Sequence, residues 1–302
     1  MKVLVAGGTG FIGKRLLARL HQEGCEIVLL TRGKHPPASV ENIARAESWD
    51  AKNPGEWQKE IETTDAVINL AGEPLIGKRW TSSQKEKIVK SRLETTRALI
   101  QAMRTAARKP KAFINASAVG YYGNVEEGEI TENCPKGRGF LADTCEQWEC
   151  EAQKAQELGI RTVILRTGIV LDKSGGALSK MLFPFRCFIG GPLGSGKQWV
   201  PWIHLEDVVE IILFALNHES LSGPVNVASP SPVRMKEFCA GLGKAVHRPS
   251  WIPVPGFILK ILLGEMSEVL LGGQKVIAQK LLNSGYSFRF SKLDEAFRAA
   301  LK

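Results

Sequence analysis

Lys2-Val3-Leu4-Val5-Ala6-Gly7-Gly8-Thr9-Gly10-Phe11-Ile12-Gly13 is the stretch that decides the fold. Five residues rich in β-formers run into a glycine turn. Leu16, Leu17 and Leu20 follow at helical spacing, and Cys25-Glu26-Ile27-Val28-Leu29-Leu30 is a second apolar run. Strand, glycine turn, helix and strand make a βαβ unit. Gly7, Gly10 and Gly13 are spaced G-x-x-G-x-x-G, one residue longer in the first gap than the dinucleotide fingerprint. One glycine permits a tight turn, one lets backbone approach a phosphate, and one lets helix and sheet pack closely. The helix start that follows offers free N–H groups and a positive dipole end to an anion. Gly7, Thr9, Gly10, Phe11, Ile12 and Gly13 are therefore expected to cradle a dinucleotide pyrophosphate.

The second strand ends in Thr31-Arg32, with Lys34 close by and no carboxylate before Glu41. An NAD site usually places Asp or Glu about 20 residues past the glycines to bind the ribose 2′-OH. A carboxylate would repel a 2′-phosphate, whereas Arg can fork onto one. Thr31 and Arg32 thus predict NADP(H) rather than NAD(H).

Outward from this unit, strands alternate with helices. Asp65–Gly72 reads as a strand with a polar, glycine-terminated end, and a helix is expected over Ser82–Arg108, ahead of Pro110. Ala112–Ala116 is a strand, 141–158 a helix closed by Gly159, Arg161–Arg166 a strand, and Pro224–Ala228 a last strand. This rhythm predicts a parallel, doubly wound α/β sheet with right-handed crossovers. After Val170 it breaks into glycine-rich loops, and beyond Ser229 it reads as a smaller helical lobe, with helices over 235–246 and 257–271. Residues 1–170 with 203–228 are expected to form the nucleotide-binding domain, and 171–202 with 229–302 the substrate lobe.

Composition narrows the classes. The hydrophobic share of 44% and charged share of 24% in 302 residues suit a globular chain. No run approaches the roughly 18 apolar residues of a membrane span, and Met1-Lys2-Val3 leads straight into a strand, so the expectation is a cytoplasmic chain with no signal peptide and no membrane partner. Six cysteines without C-x-x-C predict free thiols, and five scattered histidines predict no metal site. The net charge of +9 is spread out and suits an anionic cofactor or substrate better than a nucleic acid.

Several segments together resemble the extended short-chain dehydrogenase/reductases of the NAD-dependent epimerase/dehydratase superfamily. They are Gly7–Gly13, Asn69-Leu70-Ala71-Gly72, Ser117–Gly123 and Trp202-Ile203-His204-Leu205-Glu206-Asp207-Val208. Ser91–Thr96, Gly190–Gly196 and Gly272–Val276 are similar to the atypical subgroup called epimerase family proteins, sometimes termed cell-division inhibitors. The resemblance implies a Rossmann fold, bound NADP, and cofactor contacts from Asn69, Leu70, Ala71, Arg92 and Val170. It also implies a catalytic role for Ser117, and Tyr121 or Tyr122, on the neighbouring loop, is a candidate stand-in proton donor. His204 and Asp207 match a family turn, with His204 capping the pocket, and Arg79 and Lys197 are candidates to grip an anionic substrate.

The family's catalytic pair is missing. Working members carry Tyr-x-x-x-Lys on the helix after the fifth strand, where Tyr exchanges a proton with substrate and Lys lowers its pKa. Aligned on Glu149, that helix holds Leu141 at the Tyr position and Cys145 at the Lys position. Three readings stay open: an NADP-dependent epimerase or oxidoreductase with an altered proton donor, a non-catalytic NADP-binding sensor or division-linked regulator, and a scaffold that needs the dinucleotide only for stability. A small-molecule substrate, a protein partner, and a monomer or homodimer are all compatible with the sequence.

Overall fold

A computed structural model describes residues 1–33 and 40–302; Lys34 lies outside the described residues. The N-terminal unit comprises β1 (Lys2–Ala6), α1 (Phe11–Gln22) and β2 (Glu26–Thr31), followed by β3 (Arg45–Ser48). Next come β4 (Ala66–Asn69), α2 (Ser82–Thr105), β5 (Ala112–Ala118), a two-residue strand β6 (Glu129–Ile130) and α3 (Phe140–Gln153). After β7 (Arg161–Thr167), the chain forms β8 (Ile169–Leu171), α4 (Gly176–Arg186), β9 (Trp199–Val200), β10 (Trp202–His204), α5 (Leu205–Asn217) and β11 (Gly223–Val227). The last stretch holds β12 (Val233–Arg234), α6 (Met235–Ala245), α7 (Gly256–Leu263), α8 (Glu268–Leu271), β13 (Lys275–Val276), α9 (Gln279–Asn283) and α10 (Leu293–Ala300).

Seven parallel strands form the main sheet in the order β11-β7-β5-β4-β1-β2-β3. This is the doubly wound α/β arrangement predicted from the rhythm of the sequence. The chain reverses direction across the sheet between β1 and β4, and ligands bind at the carboxyl ends of strands at such a switch point. Alternation along β1 sends Val3 and Val5 to the layer of α1 and α5, and Leu4 and Ala6 to the layer of α2 and α3. Both faces are thus covered, as an all-parallel sheet requires.

Several boundaries differ from expectation, each with a local cause. The helix from Ser82 stops at Thr105 because Ala106 turns extended (ψ 133°), four residues ahead of Pro110. The helix expected to reach 158 stops at Gln153, and a tight 3-10 turn carries the chain to a left-handed Gly159. The helix expected over 257–271 is cut at Gly264, whose φ of +61° no helix tolerates. Helices α9 and α10 have no counterpart in the reading of the sequence.

A second apolar cluster forms from α4, β9, β10, α6 and α10 around Leu182, Phe185, Trp202, Phe238 and Phe297. Not all of 229–302 sits with it: Ala278 and Leu281 join the α1/α5 layer. Asp207 fixes this return. Its buried carboxylate accepts from the Arg289 and Phe290 amides at 2.7 and 3.0 Å and from the Tyr286 hydroxyl at 3.3 Å.

Candidate functional site

The glycine turn is built to leave space. Gly7 has φ +80°, and a Cβ there would stand 2.5 Å from the Leu70 carbonyl carbon. A Cβ on Gly13 would lie 2.3 Å from the Gly7 carbonyl oxygen, so α1 can start against the turn only without one. Gly10 precedes α1, caps it with no side chain, and the first turn holds no acidic residue. The amides of Phe11, Ile12 and Gly13 therefore face outward without an intrahelical acceptor. The Phe11 ring lies under Gly175 and Gly176, and Gly176 also borders the Val170 carbonyl, which brings the loop after β8, and Val170 in β8 itself, to the same helix start.

At the other end, Thr31 of β2 pairs with Ser48 of β3, and Arg32 just beyond it lines a cleft of about 390 Å³. Ser48, Trp49, Asn53 and Trp57 line it, the two indoles packing edge to face at 5.3 Å. Arg32 is exposed at its mouth. Asp50 also lines the cleft, but its carboxylate is turned onto the Lys52 and Asn53 amides, which with the Asn53 side chain hold its pKa at about 2. A cradle of amides at one end and an aromatic cleft with the Arg32 guanidinium at the other fit the pyrophosphate and the phosphorylated adenosine of NADP.

The expected contacts on β4 divide. The Asn69 side chain is fully buried and spent on structure: its amide donates to Thr96 Oγ1 (3.1 Å) and Asn115 Oδ1 (2.8 Å), and its oxygen accepts from the Ala71 N–H (3.2 Å). It shapes the strand end, and Leu70 and Ala71 are left to border Gly7. Arg92 is half-buried; it donates to the Glu73 and Ile88 carbonyls at 3.1 and 3.0 Å and lies over the Trp148 ring. Burial lowers its pKa, and the guanidinium also packs against Gly72 at the strand end.

Where the family places its proton relay, the chain has an apolar and a capped surface. Leu141 packs on Gly120, and the Cys145 thiol lies by Ser117 and Ala118. Burial, aided by Glu149, pushes that thiol up to about 11, so it stays protonated. Ser117 is buried and its hydroxyl donates to Glu149 Oε1 at 2.6 Å. The same carboxylate takes a fork from Arg166, Nε at 2.9 Å and a terminal nitrogen at 2.8 Å. Burial works against the Arg166 charge, and the bonds to Glu149 override it, raising its pKa overall.

Arg166 also stacks on the Tyr121 ring at 3.6 Å and donates to the Tyr122 hydroxyl at 2.9 Å. Tyr122 in turn donates to Asn226 Oδ1 at 2.7 Å, and burial pushes its hydroxyl up to about 12. The Asn226 amide is held by Glu132. The expected catalytic pair, Ser117 and Tyr121, is thus brought together, but around a buried Glu149–Arg166 ion pair. One sequence signal could have pointed there: Arg166 follows the apolar run Val163-Ile164-Leu165 within a strand, and a buried cation demands a partner.

Three further expectations change. His204 caps a helix rather than the pocket: its Nδ1 accepts from the Glu206 N–H at 3.1 Å to start α5, and its ring packs on Phe290. Burial lowers its pKa, keeping it neutral. Arg79 donates to the Ile261 carbonyl at 2.8 Å and holds the 73–80 loop to α7. Lys197 instead lines a separate cleft of about 470 Å³ with Arg234, Lys236 and Glu127. Among the described residues no cluster of His, Cys, Asp and Glu could hold a metal.

The profile of the NAD dependent epimerase/dehydratase family matches residues 3–228. The chain belongs to that family. A second profile, a domain of unknown function (DUF1731), matches residues 254–300, the region of α7 to α10. The chain is 41% identical to the chloroplastic epimerase family protein SDR39U1 homolog of Arabidopsis thaliana, over 100% of this chain and 87% of the plant protein. The human epimerase family protein SDR39U1, solved with NADPH, superposes with a TM-score of 0.88 at 35% identity over 99% of both chains. A nucleoside-diphosphate sugar epimerase from Corynebacterium glutamicum matches at TM-score 0.81 and 27% identity, over 100% of this chain and 58% of that one.

Proposed function

We propose that the chain is an NADP(H)-binding epimerase-family protein that does not run the family's tyrosine-dependent proton transfer, and that it holds the dinucleotide as a sensor or regulator. The cofactor reading is supported by the open helix start at Gly10–Gly13, by Arg32 at the aromatic cleft, and by the NADPH in the human relative. NADP(H) supplies a hydride donor or acceptor when bound. This chain's residues bind it, orient it and shield it.

The bond from Ser117 to Glu149 is the observation that carries the non-catalytic reading. A serine that orients a substrate oxygen must offer its proton to that oxygen, and here the proton is committed to a buried carboxylate. Leu141 has no proton to give, Cys145 has no fixed charge, and the Tyr122 hydroxyl is bonded on both sides. The Tyr121 ring serves as a platform for Arg166.

One observation favours the alternative, an epimerase or oxidoreductase with an altered donor. The Arg92 guanidinium lies near enough to Cys145, which holds the position of the family's lysine in the sequence, to act electrostatically on it. Holding pure protein with NADPH and a panel of carbonyl compounds and nucleotide sugars separates the two. The sensor reading expects tight NADPH binding without turnover, unchanged by Ser117→Ala or Tyr121→Phe. Turnover that either change abolishes establishes the enzyme.

A further inference from the structure

The largest exposed apolar side chains crowd into two segments of the chain. Phe183 and Phe188 stand out from the end of α4, while Trp251, Phe257, Ile261 and Leu262 stand out from the approach to α7 and from α7 itself. Trp251 is 71% exposed, Phe183 71% and Ile261 69%. Leu259 is the one buried residue of α7, so seven of its eight positions are not in the core. A helix apolar on nearly every side belongs in a core or in lipid, and α7 turns only Leu259 and part of Leu263 inward.

The two segments lie side by side. The Val254 amide donates to the Pro192 carbonyl at 2.9 Å, the Gly194 amide to the Val254 carbonyl at 2.9 Å, and the Arg248 guanidinium covers the Phe188 ring at 4.6 Å. Their charge is one-signed. From Lys173 to Leu205, and again from Phe238 to Gly264, the chain has no Asp or Glu, whereas Lys180, Arg186, Arg248 and Lys260 stand among the apolar residues. Glu265, the first carboxylate past α7, is taken up by Lys85.

We infer that this face, the end of α4 together with α7 and the 248–254 segment, docks on an anionic lipid bilayer, with the aromatic and aliphatic side chains in the headgroup layer and the basic residues on lipid phosphates. Aromatic side chains ringed by Lys and Arg are the chemistry of interfacial anchoring, and each basic residue adds to attraction by an anionic leaflet. A second copy fits less well. An isologous dimer through this patch sets the same cations against themselves, with no carboxylate in either segment to answer them. The expectation of no membrane partner rested on the lack of a spanning run, and among the described residues no helix is long and apolar enough to cross a membrane. A face lying on the bilayer needs no such run.

Co-sedimentation of the full chain with vesicles tests the assignment. The protein is expected to pellet with vesicles containing phosphatidylglycerol and not with phosphatidylcholine alone, and to be released by high salt. Phe257→Glu with Ile261→Glu is expected to cut binding at least about tenfold, and Arg186→Glu with Lys260→Glu about as much. All four positions are exposed, so melting temperature and NADPH affinity of both variants are expected to match the parent. No binding to either vesicle overturns the inference. So does a dimer, seen by light scattering, that Ile261→Glu splits.

Discussion

Ser117 donates its hydroxyl proton to Glu149 at 2.6 Å, in a pocket where both side chains are buried. Glu149 is at the same time gripped by Arg166, and both charges are deeply buried, at 3% and 4% side-chain exposure. A buried ion pair of this kind holds its surroundings in one arrangement because neither charge can be left alone. Ser117, Tyr121 and Tyr122 are fixed around it as its ligands.

Glu149→Gln is expected to strand the Arg166 charge and lower stability by about 3–5 kcal/mol in denaturant unfolding. The double change Glu149→Gln with Arg166→Met removes both charges and is expected to recover part of that loss. If the double variant is as unstable as the sum of the two singles, the residues do not act as a pair.

Gly13→Ala places a Cβ where the Gly7 carbonyl oxygen now stands 2.3 Å away. Backbone cannot yield as a side chain does, so α1 must move off the turn. NADPH affinity is expected to fall at least about tenfold, with a stability loss of about 1–3 kcal/mol. Titration by nicotinamide fluorescence checks the first, and thermal melting the second.

Much of this was legible in the sequence, and the reason is periodicity. A repeat of two in Val3-Leu4-Val5 and of 3.6 in Leu16, Leu17 and Leu20 is local, so the doubly wound parallel sheet could be read from the sequence, though not the order of its strands. The glycine spacing carried the cofactor site for the same reason. What stayed hidden depends on distant partners. The family resemblance makes Asn69 a cofactor contact, and no local pattern shows that Thr96 and Asn115 take up its side-chain amide. Arg166 signalled a buried cation, but only folding shows that its partner is Glu149, on a helix that the sequence alone used as a ruler. Helix ends were misjudged where one residue leaves helical space, as at Ala106 and Gly264.

Arg32→Asp is expected to weaken NADPH at least about tenfold while changing NADH little, since a charge-assisted bond to phosphate contributes roughly 1.5–3 kcal/mol. Parallel titrations with both nucleotides measure this. Equal losses for the two would remove Arg32 from the 2′-phosphate.

Acid stability has a local signature at Asp65. The Lys2 amide at 2.9 Å and the Arg108 guanidinium at 2.8 Å hold its pKa below the usual carboxylate value. Its contribution is present above the unfolded carboxylate pKa near 4 and is lost as pH falls through the lowered folded value. Asp65→Asn is therefore expected to lower the melting temperature at pH 7, and the difference from the parent is expected to shrink as pH falls below about 4. With the side chain 32% exposed, the cost at pH 7 is expected to stay within about 1 kcal/mol.

The central claim is that NADP(H) is held here without the family's proton relay. Its most direct test is to measure NADPH binding and turnover on one sample, following the nicotinamide band with carbonyl compounds and sugar interconversion with nucleotide sugars. The account predicts saturable NADPH binding and no turnover on any substrate of the panel, before or after Ser117→Ala. Turnover by the unaltered protein that disappears in Ser117→Ala would contradict it.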